Sequence, residues 1–287
     1  MKKNVCSLWC LLLMLGSAYS QTPFVSVANG RFHREGHPYY FVGTNYWYGG
    51  LLALGKNPVM GIERLRNELD FLKIHGIKNV RVLAGSEGEG LINGVPRVGP
   101  ALQTSRGVFD PTFLKGLDAL LNELDKRKMT AVIYLSNNWN WSGGFLQYLK
   151  WNHQIPDSAF SRPVPWSTTG KYTSQFYGCA SCVSDYLNQV HYVVTHVNTI
   201  NHKKYTEEPS IMAWEIANEP RPMSPEANGA YLKFISRAAA YLKKLDPNHL
   251  VTTGTEGYMS TGSLDLYKQI HAIPQIDYLT IHIWPKN

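Results

Sequence analysis

Ile211-Met212-Ala213-Trp214-Glu215-Ile216-Ala217-Asn218-Glu219-Pro220-Arg221 is the stretch that decides how this chain is read. Its first half is a near-continuous apolar run, the pattern of a strand covered on both faces, and such strands belong to parallel sheets packed under helices. Its second half turns polar at Asn218-Glu219-Pro220, which sets Glu219 at the strand's C-terminal end. Side chains alternate along a strand, so Glu215 and Glu219 point the same way only if the pairing stays regular.

The same alternation of apolar runs and helical segments extends to either side. Upstream, Tyr39–Gly43, Asn79–Leu83 and Ala131–Leu135 read as strands one to three. Ile62, Leu65, Leu69 and Leu72 recur at helical spacing until Gly76, and a second helix is predicted with Asp110 as N-cap and Pro111 at its first position. Val183, Tyr186, Leu187, Val190, Val193, Val194 and Val197 mark a helix before strand four. Downstream, a helix around Tyr231, Leu232, Ile235 and Leu242 precedes strand five at Leu250–Thr253, and Tyr278–Ile283 reads as strand six.

This is an α/β chain, and a barrel is favoured over a doubly wound sheet. Polar and aromatic residues gather after the strand ends, at Asn45–Tyr48, Ala84–Glu89, Asn137–Trp141, Asn218–Arg221, Glu256–Tyr258 and His282–Trp284. In a (β/α)8 TIM barrel those loops share one mouth. A dinucleotide-binding sheet instead needs a Gly-x-Gly-x-x-Gly loop after its first strand, which Gly43-Thr44-Asn45-Tyr46-Trp47 lacks. Six βα units fill the chain where a closed barrel has eight, so strands seven and eight with their helices, roughly eighty residues at the spacing of the first six, are expected to be missing.

Lys2-Lys3 followed by the apolar run Val5–Leu15 and small residues at Ala18 and Ser20 reads as a secretory signal over residues 1–20, cleaved before Gln21. The remainder, 21–287, is then one catalytic domain, secreted or periplasmic, with no stable membrane anchor. Loss of the leader takes Lys2 and Lys3 away from a formal net charge of +7. The short basic runs that remain lie largely at helix ends, where cations oppose the helix dipole, so nucleic acid is not an expected partner. Cys6 and Cys10 leave with the leader. Cys179 and Cys182 in an exported chain are most simply a short-range disulfide, against a redox pair or half a zinc site, for which no second pair of ligands has the spacing.

A carboxyl at the mouth walled by aromatic rings is expected to have its pKa raised by desolvation, so that it protonates a leaving oxygen. The alternative for Glu219 is a loop cap or salt bridge. Trp47, Trp139, Trp141, Trp151, Trp166 and Trp284 lie in or near predicted loops, and indole faces that stack on sugar rings line a wet carbohydrate cleft. No His-Glu-x-x-His, Gly-x-Ser-x-Gly or phosphate-binding loop is present, so neither a metal nor a cofactor is expected.

With these residues in view, the chain resembles glycoside hydrolase family 5, in its endo-β-1,4-mannanase branch. The matching segments are Gly43-Thr44-Asn45-Tyr46-Trp47, Asn79-Val80-Arg81-Val82-Leu83, Ser136-Asn137-Asn138-Trp139, Ala217-Asn218-Glu219-Pro220-Arg221 and His282-Ile283-Trp284-Pro285. The resemblance implies a mannan-type polysaccharide substrate, with cellulases of the same family sharing the barrel. It implies Glu219 as general acid/base, Asn218 on the sugar 2-hydroxyl, Arg81 holding a nucleophilic carboxylate, and His282 supporting that cluster. Trp139 and Arg221 are implied on the leaving-group side, Glu256 as a substrate-side contact, and Trp47, Asn138 and Trp284 as further substrate contacts. Trp284 stands where the family often has Tyr. Read without the family, Arg81 is a structural ion pair with a neighbouring barrel carboxylate and His282 a hydrogen-bonded mouth residue. Retention requires a second carboxylate ~5–5.5 Å from the acid, and the family places it at the end of strand seven. The competing expectation is therefore a glycan-binding remnant without turnover.

Overall fold

The computed structural model describes residues 23–283, apart from Asn93 and Arg162. The predicted leader over 1–20 and Trp284 lie outside the described residues.

Five parallel strands make the central sheet: β1 (Val42–Asn45), β2 (Ile77–Leu83), β3 (Thr130–Tyr134), β4 (Ile211–Glu215) and β5 (Leu250–Thr252). They are hydrogen-bonded in the order β5-β4-β3-β2-β1, so every strand neighbours the one next to it in the sequence. A doubly wound sheet reverses direction at a switch point; this one never does. The longer helices are α1 (Pro58–Ile74), α2 (Thr112–Lys126), α3 (Gly144–Trp151), α4 (Trp166–Thr173), α5 (Ala180–Val194) and α6 (Asn228–Leu245) between strands, and α7 (Leu264–His271) after β5.

The apolar faces account for these positions. In α2, Phe113, Leu114, Leu117, Leu120, Leu121 and Leu124 are all fully buried, and they join Val80, Val82, Ala131, Ile133 and Trp214 in one core between helices and sheet. On the other face of the sheet, Val132, Met212, Ala213 and Leu250 pack on Val25, Phe32, Tyr39, Phe41 and Tyr278. Val25 and Phe32 come from an antiparallel sheet of Val25–Ala28, Arg31–Arg34 and His37–Pro38. That small sheet covers the inner face near the strands' N-terminal ends.

Three expectations are corrected. Strand one forms later than Tyr39–Gly43, at Val42–Asn45, because Tyr39 and Phe41 are taken up by the inner cluster instead. The second helix starts at Thr112, not Pro111, although Asp110 still accepts from the Thr112 N–H at 2.8 Å. Tyr278–Ile283 is not a strand. It runs beside β5, but threonine hydroxyls occupy the acceptors that a ladder would use: Thr252 donates to the Tyr278 carbonyl at 2.9 Å and Thr280 to the Thr255 carbonyl at 3.0 Å. Backbone hydrogen bonds tie it down at two points, from the preceding Asp277 N–H to the Val251 carbonyl at 2.8 Å and from the His282 N–H to the Glu256 carbonyl at 3.2 Å.

Among the described residues the sheet is therefore open, with β1 and β5 as its edges, and no helix there is long and apolar enough to cross a membrane.

Candidate active site

The mouth begins with a bulge. Ala131 pairs with Ile211 and Val132 with Ala213, so Met212 is the extra residue. This puts Ala213 and Glu215 on the inner face, in register with Val132 and Tyr134. A carboxylate there requires a partner, and β2 supplies one: Arg81 Nε donates to Glu215 Oε2 at 3.1 Å, and its Nη2 pairs with Oε1. The guanidinium sits over the Tyr134 ring, 4.6 Å from the centroid.

Arg81 also donates to Asn218 Oδ1 at 2.8 Å, and Asn218 Nδ2 donates to Asn137 Oδ1 at 3.0 Å. Both ends of the Asn218 amide are thereby fixed. Of the two readings of Arg81, the contact observed is the ion pair with a barrel carboxylate, Glu215.

Beyond Asn218 the strand geometry ends, and Glu219 takes a left-handed backbone, φ 53°, uncommon for a side-chain-bearing residue and costly unless its surroundings hold it. Its N–H donates to the Gly254 carbonyl at 3.0 Å. Gly254 itself has φ 78°, and a Cβ there would collide with the Ala217 carbonyl and the Glu215 side chain. The turn after β4 thus needs glycine on its neighbour.

Two donors reach the Glu219 carboxylate: the Trp139 indole N–H at 2.5 Å and His282 Nδ1 at 2.7 Å. A carboxylate offers no proton, so His282 Nδ1 carries the hydrogen. Burial pushes the Glu219 carboxyl up, but the hydrogen bonds from His282 and Trp139, with the positive charges of His282 and Arg221, outweigh it and leave the pKa below the ordinary value. This reverses the expectation of a raised pKa. Desolvation acts in the expected direction, but two donors brought in from distant segments of the chain outweigh it.

Arg221 forms a two-point pair with Glu256, Nε to Oε2 at 2.5 Å and Nη2 to Oε1 at 2.7 Å, and lies over the Trp139 ring at 4.9 Å. Trp139 in turn packs on Trp166 at 5.0 Å, and Trp166 is 56% exposed. A groove of about 360 Å³ adjoins this group, lined by Trp166, Arg221, Met223, Met259 and Thr261 among others. Asn138 backs it: its N–H donates to the Asn218 carbonyl at 3.0 Å, and its Oδ1 accepts from the Arg221 N–H at 3.4 Å. Trp47 packs edge-on against Trp141, 5.4 Å between rings.

Glu219, Asn218, Arg81, His282, Trp139, Asn138, Arg221 and Glu256 are thus brought into one linked network. Trp151 is not part of it; it packs on Tyr148 at 5.7 Å and against the main core. Reading the sequence missed Glu215 and Asn137 as working members. A lone carboxylate inside an apolar strand was the available signal for Glu215; Asn137 gave none beyond its place beside Asn138.

Cys179 and Cys182 are joined by a disulfide at the start of α5. Among the described residues no group of three or more His, Cys, Asp or Glu is arranged to hold a metal ion.

Comparison with known proteins places the chain in a family. Residues 22–287 match the profile described as GH family 5 beta-mannosidase-like. Mannan endo-1,4-beta-mannosidase 1 of Oryza sativa subsp. japonica is 30% identical over 91% of this chain and 59% of its own length. Mannan endo-1,4-beta-mannosidase 7 of Arabidopsis thaliana is 30% identical over 91% of this chain and 58% of its own. The glycoside hydrolase family 5 mannosidase of Rhizomucor miehei, solved in complex with mannosyl-fructose, superposes with a TM-score of 0.80 at 32% identity, covering 92% of this chain and 62% of that one. The chain spans about three fifths of the length of these relatives. Its fold is the α/β barrel fold of those neighbours, and the chain belongs to glycoside hydrolase family 5.

Proposed function

We propose that this chain carries the acid/base side of an endo-acting, retaining hydrolase of β-1,4-mannosidic bonds in mannan, glucomannan or galactomannan. The observation that carries the reading is Glu219, held at the mouth in a left-handed turn with its carboxylate between Trp139 and His282. In this reading Glu219 protonates the leaving oxygen and then takes a proton from the attacking water. Asn218 has one amide hydrogen engaged by Asn137, which leaves the other for the sugar 2-hydroxyl. Trp139, Trp166 and Arg221 border the groove on the leaving-group side. Arg81 steadies Asn218 directly, and its wider role is to hold carboxylates at the mouth ionised.

Glu215 and Glu256 are each engaged by an arginine in a two-point pair, so the nucleophile is assigned to neither. A second carboxylate ~5–5.5 Å from Glu219, as retention requires, raises the Glu219 pKa by like-charge repulsion, the direction an acid needs.

A second reading, glycan binding without turnover, is favoured by the depressed pKa of Glu219: an ionised carboxylate has no proton to give. One assay separates the two. Mannohexaose is incubated with the protein and with Glu219→Gln, and both cleavage and binding are followed. Cleavage that falls by about 10²–10⁴ in the variant, with binding retained, is the expected result; cleavage unchanged in Glu219→Gln sinks the assignment, and binding without cleavage by the parent supports the second reading. Cellohexaose beside mannohexaose distinguishes a glucanase. Export through a cleaved leader belongs to the same proposal and predicts a mature N-terminus near Gln21 by mass spectrometry.

A further inference from the structure

The loop after β3 carries Asn137, Asn138 and Trp139, and one buried carboxylate grips it at both ends. Glu87, in the loop after β2, is fully buried. Its Oε1 accepts from the Ser136 hydroxyl at 2.7 Å and the Gln189 side-chain amide at 2.8 Å, with the Tyr148 hydroxyl at 3.3 Å. Its Oε2 accepts from the Gly144 N–H at 2.9 Å. The chain thus leaves this side chain at Ser136 and returns to it at Gly144. The Glu87 backbone closes the same loop, donating to the Ser142 carbonyl at 2.8 Å. Gly144 has φ 60°, and a Cβ there would collide with the Asn137 carbonyl, so the return is as tight as the backbone permits.

Between these ends, Asn137 Oδ1 accepts from both the Trp139 N–H and Asn218 Nδ2, each at 3.0 Å. The Trp139 indole reaches Glu219. Glu87 touches neither Asn218 nor Glu219 in these contacts and acts on them only through the loop.

Among the described residues no cation forms a salt bridge with this carboxylate. The nearby guanidinium of Arg97 spends its Nη1 on the Glu87 carbonyl at 3.0 Å and the Gln147 side chain at 2.6 Å. Ionising a buried group without a counter-charge is costly, so a carboxyl at this position calls for a role beyond holding the fold.

We propose that Glu87 is a positioning residue of the Glu219 site: its carboxylate fixes the loop from Ser136 to Gly144, and through it the contacts of Trp139 with Glu219 and of Asn137 with Asn218. This rests on the reading of Glu219 as the acid/base.

The arrangement makes the grip sensitive to pH. Burial raises the Glu87 carboxyl to about 7, against the hydrogen bonds from Ser136, Gly144, Gln189 and Tyr148. A proton on Oε2 faces the Gly144 N–H, donor against donor, and one on Oε1 is accepted only if the Ser136 or Tyr148 hydroxyl turns its own hydrogen away, so protonation costs the grip at least one of its hydrogen bonds. The other titratable or charged groups facing Glu87 are Tyr134 of β3, Tyr148 of α3, Tyr186 of α5 and Arg97. Burial holds all three tyrosines well above the ordinary phenol range, and an arginine keeps its charge at neutral pH. Glu87 is the group of this set that changes charge near pH 7.

The test uses the intrinsic fluorescence of the full chain between pH 5 and 9, in the parent, Glu87→Gln, Trp139→Phe and the double variant. Subtracting Trp139→Phe from the parent isolates the Trp139 signal. That signal is expected to titrate near pH 7 and to lose the transition in Glu87→Gln. If it titrates unchanged in a folded Glu87→Gln, His282 or another neighbour governs Trp139 and the proposal is overturned. Should Glu87→Gln fail to fold, Ser136→Ala keeps the carboxylate and removes one donor to it; its transition is expected at higher pH, and an unmoved midpoint overturns the proposal equally. Mannohexaose affinity, measured alongside, is expected to weaken about fivefold in Glu87→Gln, the equivalent of ~1 kcal/mol, with partial recovery in Glu87→Asp. If the parent binds no mannohexaose, the functional reading fails, while the fluorescence still decides the role of Glu87.

Discussion

Buried carboxylates occur at both ends of the sheet, and Glu219 at the mouth is treated unlike those at the far end. At the end where helices return to strands, Asp118 of α2 accepts from Thr199 N–H and hydroxyl at 2.9 and 2.7 Å, Tyr205 at 2.7 Å and His196 at 3.0 Å. Asp246, ahead of β5, accepts from Trp214 at 2.7 Å, His249 Nδ1 at 2.6 Å and two backbone N–H groups. These oxygens are saturated, and a saturated carboxylate binds nothing further. Glu219 at the mouth has two donors and an open side. The same functional group, a carboxylate, therefore holds the fold in Asp118 and Asp246 and remains available to a ligand in Glu219, and the number of fixed donors is what separates them.

The largest effect expected from this contrast is on turnover. Glu219→Gln should lower mannan cleavage by about 10²–10⁴ while the urea midpoint stays close to the parent's. Asp118→Asn should do the reverse, lowering stability by about 3–5 kcal/mol because its donors lose a charged acceptor in a buried network, with substrate affinity unchanged in the molecules that remain folded. Urea unfolding beside mannohexaose cleavage reads both. A Glu219→Gln that unfolds, or an Asp118→Asn that folds normally but loses turnover, would break the contrast between the two ends.

Acid and neutral pH should separate the ends again. Hydrogen bonds hold the Asp118 and Asp246 carboxyls below their ordinary value despite burial. Their contribution is therefore present above the ordinary aspartate pKa and lost as pH falls through the lowered one. Glu87 runs the other way. Its pKa is raised from 4.5 to about 7, so the folded state binds the extra proton and stability declines as pH rises across that interval. Urea midpoints measured from pH 3 to 8 should show both arms, and Glu87→Gln should flatten only the upper one. An upper arm that persists in Glu87→Gln assigns it to another group.

The sequence made one end of the molecule far more legible than the other. Apolar runs such as Ala131–Leu135 and Ile211–Ala217 disclosed strands because burial on both faces leaves few residue types available. Asn218-Glu219-Pro220 marked the mouth because proline ends a ladder. What stayed hidden were relations between distant segments. Met212 as a bulge, Glu215 under Arg81 and Glu87 between Ser136 and Gly144 each depend on three-dimensional register, separated by up to 134 residues in the Arg81 pair. Tyr278–Ile283 misled because its apolar alternation is that of a strand, while Thr252 and Thr280 redirect its hydrogen bonds. The sign of the Glu219 shift was lost for the same reason: desolvation can be guessed from neighbouring aromatics, but donors arriving from the loop after β3 and the segment after α7 cannot.

The smallest effect tests whether every device near the mouth serves the ligand. The Cys179–Cys182 disulfide closes a loop only three residues apart, and in the chain-entropy account such a short loop stabilises by no more than about 2 kcal/mol. It pins the entry to α5, where Cys179 Sγ also accepts from the Cys182 N–H at 3.2 Å. Farther along that helix, Tyr186 donates to the Ile216 carbonyl at 2.8 Å, just ahead of Asn218 and Glu219. The path from disulfide to site runs through a helix buried along its length, so the tyrosine is held by packing whether or not the sulfurs are joined. Cys179→Ser with Cys182→Ser should accordingly lower the thermal midpoint by several degrees at most and leave mannohexaose affinity unaltered. A loss of affinity larger than the loss of stability would mean that the start of α5 positions the turn at Glu219, and that the mouth is held from behind by a bond the present contrast counts as purely structural.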